Sequence, residues 1–313
     1  MKEIMTKNTA STNPALVYLA GLAESGRRTQ AQALSVIAKM LTGSPDITAC
    51  NWATLRFQHT SVIRFKLAKV YAPATVNKML CSLRGTLKAA WLSGQMTGEE
   101  YHKAVVIDGF PVDTPPAGRD LSSREIAALM LACEDDPTPS GGRDAAIIAL
   151  LYAGGLRREE VIALDLADYD PGAGRLVIRG KRNKERFCYI TDEVTDTLSD
   201  WLVIRGYKPG PLFLPINKGG ARIQRRMTTP AIYNLLAKRA DQAGIKKFTP
   251  HDLRRSFVSD LLDAGADLTT VAKMAGDALL ATTARYDRRP EEAKRKAAGL
   301  LHVPYRAHRN HLT

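Results

Sequence analysis

The sequence predicts a mainly α protein of two domains with one small β-hairpin or sheet. Three observations lead there. Its 313 residues exceed what one compact core usually serves. Apolar residues recur at spacings of three and four through most of the chain. One stretch, RLVIRGKRNKERFCYIT at 175–191, breaks that period with two β-rich runs around a basic turn.

Residues 14–102 carry the helical pattern in ALVYLAGLAESG, AQALSVIAKML and VNKMLCSLRGTLKAAW, which predicts a helical bundle for a first domain of residues 1–110. GFPVDTPPAG then gathers three prolines and two glycines at 109–118, and proline blocks helix continuation, so residues 111–119 are predicted to be the linker. The second domain, 120–313, is predicted to be mixed α/β. Ser122 or Ser123 caps its first helix, over residues up to 133, and a second covers 143–152 before Gly154 and Gly155. Strands at 176–179 and 186–191 flank the basic turn. Helices follow at 192–204, at 230–243 with Thr229 as cap and Pro230 first, at 252–264 and at 268–275.

Composition narrows the function. Hydrophobic residues at 45% and charged residues at 25% are globular values, and no segment has the roughly 18 unbroken apolar residues of a membrane span. The N-terminus has no apolar stretch with a small-residue cleavage site, so the expected location is the cytoplasm. Cys50, Cys81, Cys133 and Cys188 lack the paired spacing of a zinc site and are expected to be reduced packing residues. The net charge of +13 points to a polyanionic partner, and it is spread: residues 1–118 hold 13 basic and 7 acidic side chains, leaving +7 for the remainder.

Four short motifs carry chemistry. GLRREEVIAL contains Arg157 and Glu160, GKRNKER contains Lys181, TPHDLRRSF contains His251 and Arg254, and TTARYDRR contains Tyr286. In this order and spacing they resemble the four motifs of the tyrosine recombinases, the phage-integrase family, over residues 121–298. The first half is similar to that family's helical core-binding domain only through YAPATVNKMLCSLRGTLKAAW. The resemblance implies a site-specific recombinase that cuts and rejoins DNA through a 3′-phosphotyrosyl intermediate, with Tyr286 as nucleophile. It requires no metal and no cofactor.

Elementary chemistry supports the same roles. Attack on a phosphodiester gathers negative charge on the non-bridging oxygens, so guanidiniums placed there favour the transition state, and Arg157 and Arg254 fit that role. A phenol with a reference pKa of about 10 must lose its proton during attack, and His251, the one histidine between His102 and His302, is the available base. The leaving 5′ oxygen needs a proton; the resemblance assigns that to Lys181, while Lys184 in the same turn is its rival. Glu160 would repel phosphate, and its expected task is to orient His251 or an arginine.

One position departs from the pattern. The family usually has His or Trp shortly after a glycine and nine residues before the nucleophile, donating a hydrogen bond to the phosphate; here MAGDALLATTARY has Asp277. An ionised aspartate only accepts hydrogen bonds. Three explanations stand: Asp277 turns away or binds a basic neighbour, it is an alteration that weakens turnover, or the motif is aligned out of register. Two other functions share part of the signal. A type IB topoisomerase uses similar chemistry without exchanging partners, and a DNA-binding accessory protein would tolerate Asp277.

The expected partners are double-stranded DNA bearing a specific site and three further copies of the chain, a homotetramer on two duplexes, with no membrane involvement. EEAKRKAAGLLHVPY beyond Pro290 reads as an amphipathic helix with Ala293, Ala297, Leu300 and Leu301 near one face. Family members pass such a tail to a neighbouring subunit. Deleting the residues after Arg289 is expected to leave DNA binding intact and abolish synapsis, as read by gel shift of paired duplexes; intact synapsis would refute the exchange.

Overall fold

In the computed structural model, residues 13–112, 118–180, 185–277 and 280–284, together with 295 and 298–300, are described. The chain divides into two compact units, Met1–Thr114 and Pro115–Thr313.

The first unit contains α1 (Pro14–Ala20), α2 (Glu24–Thr42), α3 (Phe57–Ala68), α4 (Pro73–Leu92) and α5 (Gly98–Val105). The other four pack around α4, whose Val76, Leu80, Leu83 and Leu87 are fully buried at the helical spacing that their sequence displays. Gly85 lets α1 approach: a Cβ there would lie 2.2 Å from the Tyr18 ring. Thr97 and Glu100 form a reciprocal cap that starts α5.

The second unit runs α6 (Ser123–Glu134), α7 (Pro139–Tyr152), α8 (Arg158–Ala163), β1 (Tyr169–Asp170), β2 (Arg175–Arg179), β3 (Glu185–Tyr189), α9 (Asp192–Arg205), α10 (Thr229–Gln242), α11 (Pro250–Asp263), α12 (Leu268–Ala275) and α13 (Leu280–Ala284). The spine is α7, whose Ala145–Leu151 run is buried all round against α6, α9 and α11. The sheet is antiparallel in the order β1-β2-β3, with Val177 opposite Phe187, Ile178 opposite Arg186 and Arg179 opposite Glu185. On β2, Leu176 and Ile178 face the core, and on β3 Cys188 does.

The fold class agrees with the sequence expectation, while several details shift. Helix α7 begins at Pro139, four residues earlier than expected, because Thr138 caps it and Pro139 takes the first position; Gly141 and Gly142 are tolerated inside it. Helix α10 starts at Thr229 with Thr228 as cap, one residue before the expected start. A third strand, β1, joins the expected hairpin; its two residues are too short to show a period. Cys50, Cys133 and Cys188 are buried, but Cys81 lies exposed on α4 and is not a packing residue. Residues 113–117 of the expected linker and most of the tail, Ala293 and Ala297 included, lie outside the described residues.

The turn between α7 and α8 fixes where Arg157 starts relative to α11. Gly155 has φ +58°, and a Cβ would fall 2.4 Å from the Phe257 ring on α11. Gly155→Ala is therefore expected to destabilise the protein by about 2–4 kcal/mol through overpacking and backbone strain. Urea unfolding checks it, with an unchanged midpoint as the contrary result.

Candidate active site

Three carbonyls at the end of α12 organise the site. The helix stops at Gly276, in the left-handed region at φ +69°; the Gly276 N–H bonds to Lys273 O and the Asp277 N–H to Ala272 O. The next three carbonyls each accept from a different arginine. Arg186 Nε reaches Met274 O at 3.3 Å, Arg254 Nη1 reaches Ala275 O at 2.5 Å, and Arg157 Nη2 reaches Gly276 O at 3.2 Å. The helix end, which carries partial negative charge and orphan acceptors, is thus satisfied by cations from α11, β3 and the residue preceding α8.

Arg157 is the N-cap residue of α8. Glu160 accepts its backbone N–H at 2.8 Å and its Nη1 at 3.0 Å, so one carboxylate both caps the helix start and aims the guanidinium. Arg254, on α11, is 2% exposed and also donates through Nη1 to Gly155 O at 2.7 Å, so one side chain ties the glycine turn to the α12 terminus. Burial and the nearby Arg157 push its pKa below the ordinary arginine value. Arg157 remains 41% exposed at its side chain.

Asp277 lies between them. Its Oδ1 accepts from Arg157 Nη2 and from Arg254 Nη2, each at 2.7 Å, and its Oδ2 accepts from Thr283 Oγ1 at 3.0 Å. Of the three explanations for this residue, the geometry is that of a carboxylate bound to basic neighbours.

Glu160 meets a second arginine. Arg186 on β3 donates Nη1 and Nη2 to its two oxygens, both at 2.9 Å. Burial alone would raise the Glu160 pKa, but the hydrogen bonds and charge of Arg186, then of Arg157, hold it below the usual carboxylate value. Arg186 and Thr283 are not among the candidate residues that the motifs mark. Arg186 has a readable signal: it shares the inward face of β3 with buried Cys188, where an arginine needs a carboxylate partner. Thr283 gives none, since a threonine three residues before Tyr286 is by type an ordinary helix residue.

His251 occupies the first turn of α11, exposed at its outer edge. Partial burial, then the charges of Arg254 and Arg255, lower its pKa from 6.5. Thus α11 brings His251 and Arg254 to the place where Arg157, Glu160 and Asp277 converge. Lys181, Lys184 and Tyr286 lie outside the described residues. Among the described residues no group of His, Cys, Asp and Glu is arranged to hold a metal ion, and no helix is long and apolar enough to cross a membrane.

A helical unit is thus followed by a mixed unit in which two arginines converge on one carboxylate oxygen. Residues 119–292 match the phage integrase family. The tyrosine recombinase slr0733 of Synechocystis sp. (strain ATCC 27184 / PCC 6803 / Kazusa) is 30% identical over 276 residues, 83% of this chain and 85% of that protein. Tyrosine recombinase XerC of Actinobacillus pleuropneumoniae serotype 7 (strain AP76) is 34% identical over 170 residues, and the chain spans about half of its length, 54%. In fold, the XerH site-specific recombinase bound to a palindromic difH substrate in a post-cleavage complex superimposes with TM-score 0.67 at 20% identity, covering 88% of this chain and 80% of that one. The chain belongs to the phage integrase family and is a tyrosine recombinase.

The lowered His251 pKa fixes the sign of one pH effect. The folded state holds the neutral imidazole to lower pH than the unfolded chain does, so the associated stability is complete above about pH 6.5 and is lost as pH falls through the folded value. Proton NMR titration is expected to show His251 losing its proton below pH 6.5; a value above that would reverse the sign.

Proposed function

We propose that the protein is a DNA integrase that cleaves one strand at a specific site through a 3′-phosphotyrosyl link to Tyr286 and rejoins it to a strand of a second duplex. The observation that carries this reading is the paired fork: Arg157 Nη2 and Arg254 Nη2 converge on a single oxygen, each at 2.7 Å. Two guanidiniums on one oxyanion suit a phosphorus centre whose non-bridging oxygens gain charge during attack.

The chemistry balances with the chain's own residues. The Tyr286 phenolic oxygen attacks phosphorus, and the bond from phosphorus to the 5′ oxygen breaks. The phenol proton passes to His251, neutral at pH 7 because its pKa is lowered. Lys181 supplies a proton to the 5′ oxygen. In the second half the 5′ hydroxyl of the exchanging strand attacks the phosphotyrosine, the tyrosine leaves, and the roles reverse. No net bond energy is consumed, since one phosphodiester replaces another.

Glu160 and Arg186 act indirectly. Glu160 orients Arg157 through two hydrogen bonds, and Arg186 fixes Glu160 through two more. Because Arg186 belongs to β3, the hairpin that carries Lys181 is joined by this pair to the arginine fork. DNA recognition rests on the basic character of both halves, with affinity that falls steeply as salt rises. Strand exchange between two duplexes calls for four protomers, acting in the cytoplasm on double-stranded DNA.

The test uses a nicked suicide substrate in which cleavage releases the short fragment that bears the new 5′ hydroxyl. The wild-type protein is expected to become covalently attached at a 3′ end, and Tyr286→Phe to give no adduct. Absence of a 3′-linked adduct from the wild type on its own site would sink the proposal.

A further inference from the structure

Asp277 has no task in that reaction, yet it is the carboxylate that joins the two arginines of the fork. Three side chains donate to it: Arg157 and Arg254 to Oδ1, and Thr283, fully buried, to Oδ2. Its own backbone N–H is bound to Ala272 O, and its side chain is 4% exposed.

The number of donor hydrogens limits what else the fork can hold. A guanidinium Nη carries two hydrogens. Those of Arg157 Nη2 go to Gly276 O and to Asp277 Oδ1, while Arg157 Nη1 donates to Glu160. Those of Arg254 Nη1 go to Gly155 O and Ala275 O, leaving Nη2 to face Asp277. An incoming oxyanion reaches the two facing Nη2 atoms together only by taking the place of one of their present acceptors. Gly276 O is backbone at a helix terminus and cannot leave without undoing the α12 stop. The Asp277 carboxylate turns on two side-chain torsions and can.

Charge points the same way. Arg157, Arg186 and Arg254 with Glu160 and Asp277 sum to +1 at neutral pH, against +2 for the same set without the aspartate. A phosphodiester oxygen matches the carboxylate oxygen in charge and in the geometry it asks of a guanidinium.

We infer that Asp277 is an internal competitor for the scissile phosphate, holding the oxygen position between Arg157 and Arg254 until DNA displaces it. That the displacing anion is the scissile phosphate rests on the recombinase proposal; competition for an oxyanion does not. Cleavage then waits on binding energy gathered elsewhere on the DNA, which must turn the carboxylate out before the fork can grip phosphate. An isolated phosphate, lacking those remote contacts, is held weakly.

The experiment separates the two readings. Inorganic phosphate is titrated into the full chain by calorimetry at constant ionic strength. Asp277→Asn keeps the shape and removes the charge, and it is expected to bind phosphate about tenfold more tightly than wild type, with the gain lost in the Asp277→Asn/Arg157→Ala double variant. Thr283→Val, which frees only Oδ2, is expected to move affinity the same way by about two- to threefold, and it decides the matter if the Asn variant does not fold. Unchanged or weaker phosphate binding in a folded variant overturns the competition. The same proteins are then given the suicide substrate, where Asp277→Asn is expected to form the Tyr286 adduct about tenfold faster in a single turnover. Tighter phosphate binding with no adduct from any protein would remove the recombination mechanism and leave the competition standing. An adduct formed at equal or lower rate, with phosphate affinity unchanged, would do the reverse.

Discussion

The site depends on how one short helix ends. An α-helix leaves its last carbonyls without internal partners, and burying them unpaired costs free energy comparable to a lost hydrogen bond. At α12 two are closed by the backbone turn at Gly276 and three by arginines from separate parts of the chain. Neither side would be stable alone. The carbonyls need donors, and three guanidiniums gathered within a few ångströms need negative charge, which the helix terminus, Glu160 and Asp277 together supply.

This arrangement makes positioning collective. Arg254 is buried and bonded on three sides, so it has almost no freedom once α11 and the Gly155 turn are in contact. Arg157 is more exposed, and its direction comes from its two hydrogen bonds to Glu160. Glu160 is itself fixed by the sheet through Arg186. A change in any one of these therefore alters the others through shared oxygens, which is the situation in which effects of separate substitutions cease to add.

Much of this was legible in the sequence, for identifiable reasons. The fold class follows from long stretches of three-and-four spacing and one stretch of alternation, and the start of α6 is set by Ser122 and Glu125, whose capping chemistry is local. Arg157, Glu160, His251 and Arg254 stood out because they sit in short motifs, and α8 and α11 bring those motifs to one place. What was hidden depends on contacts between distant segments. Strand β1 is too short to show a period, and the partnership of Arg186 with Glu160 spans 26 residues and two elements. The bridging position of Asp277 depends on where both arginines lie, since a sequence shows only that it accepts and does not donate. Cys81 misled because apolar character on a helix says little about which face of a bundle it meets.

Gly276 joins two properties that are usually separable. Its left-handed backbone halts α12, and the vacant side of its Cα is filled by the Arg186 guanidinium, 2.8 Å from where a methyl would sit. Stopping the helix and seating the sheet's arginine are thus a single variable, read at one atom that is not there. Any lineage that replaced this glycine would have to re-solve the end of the helix and the support of Glu160 in the same step, so drift at position 276 is confined by geometry before selection on catalysis has any say.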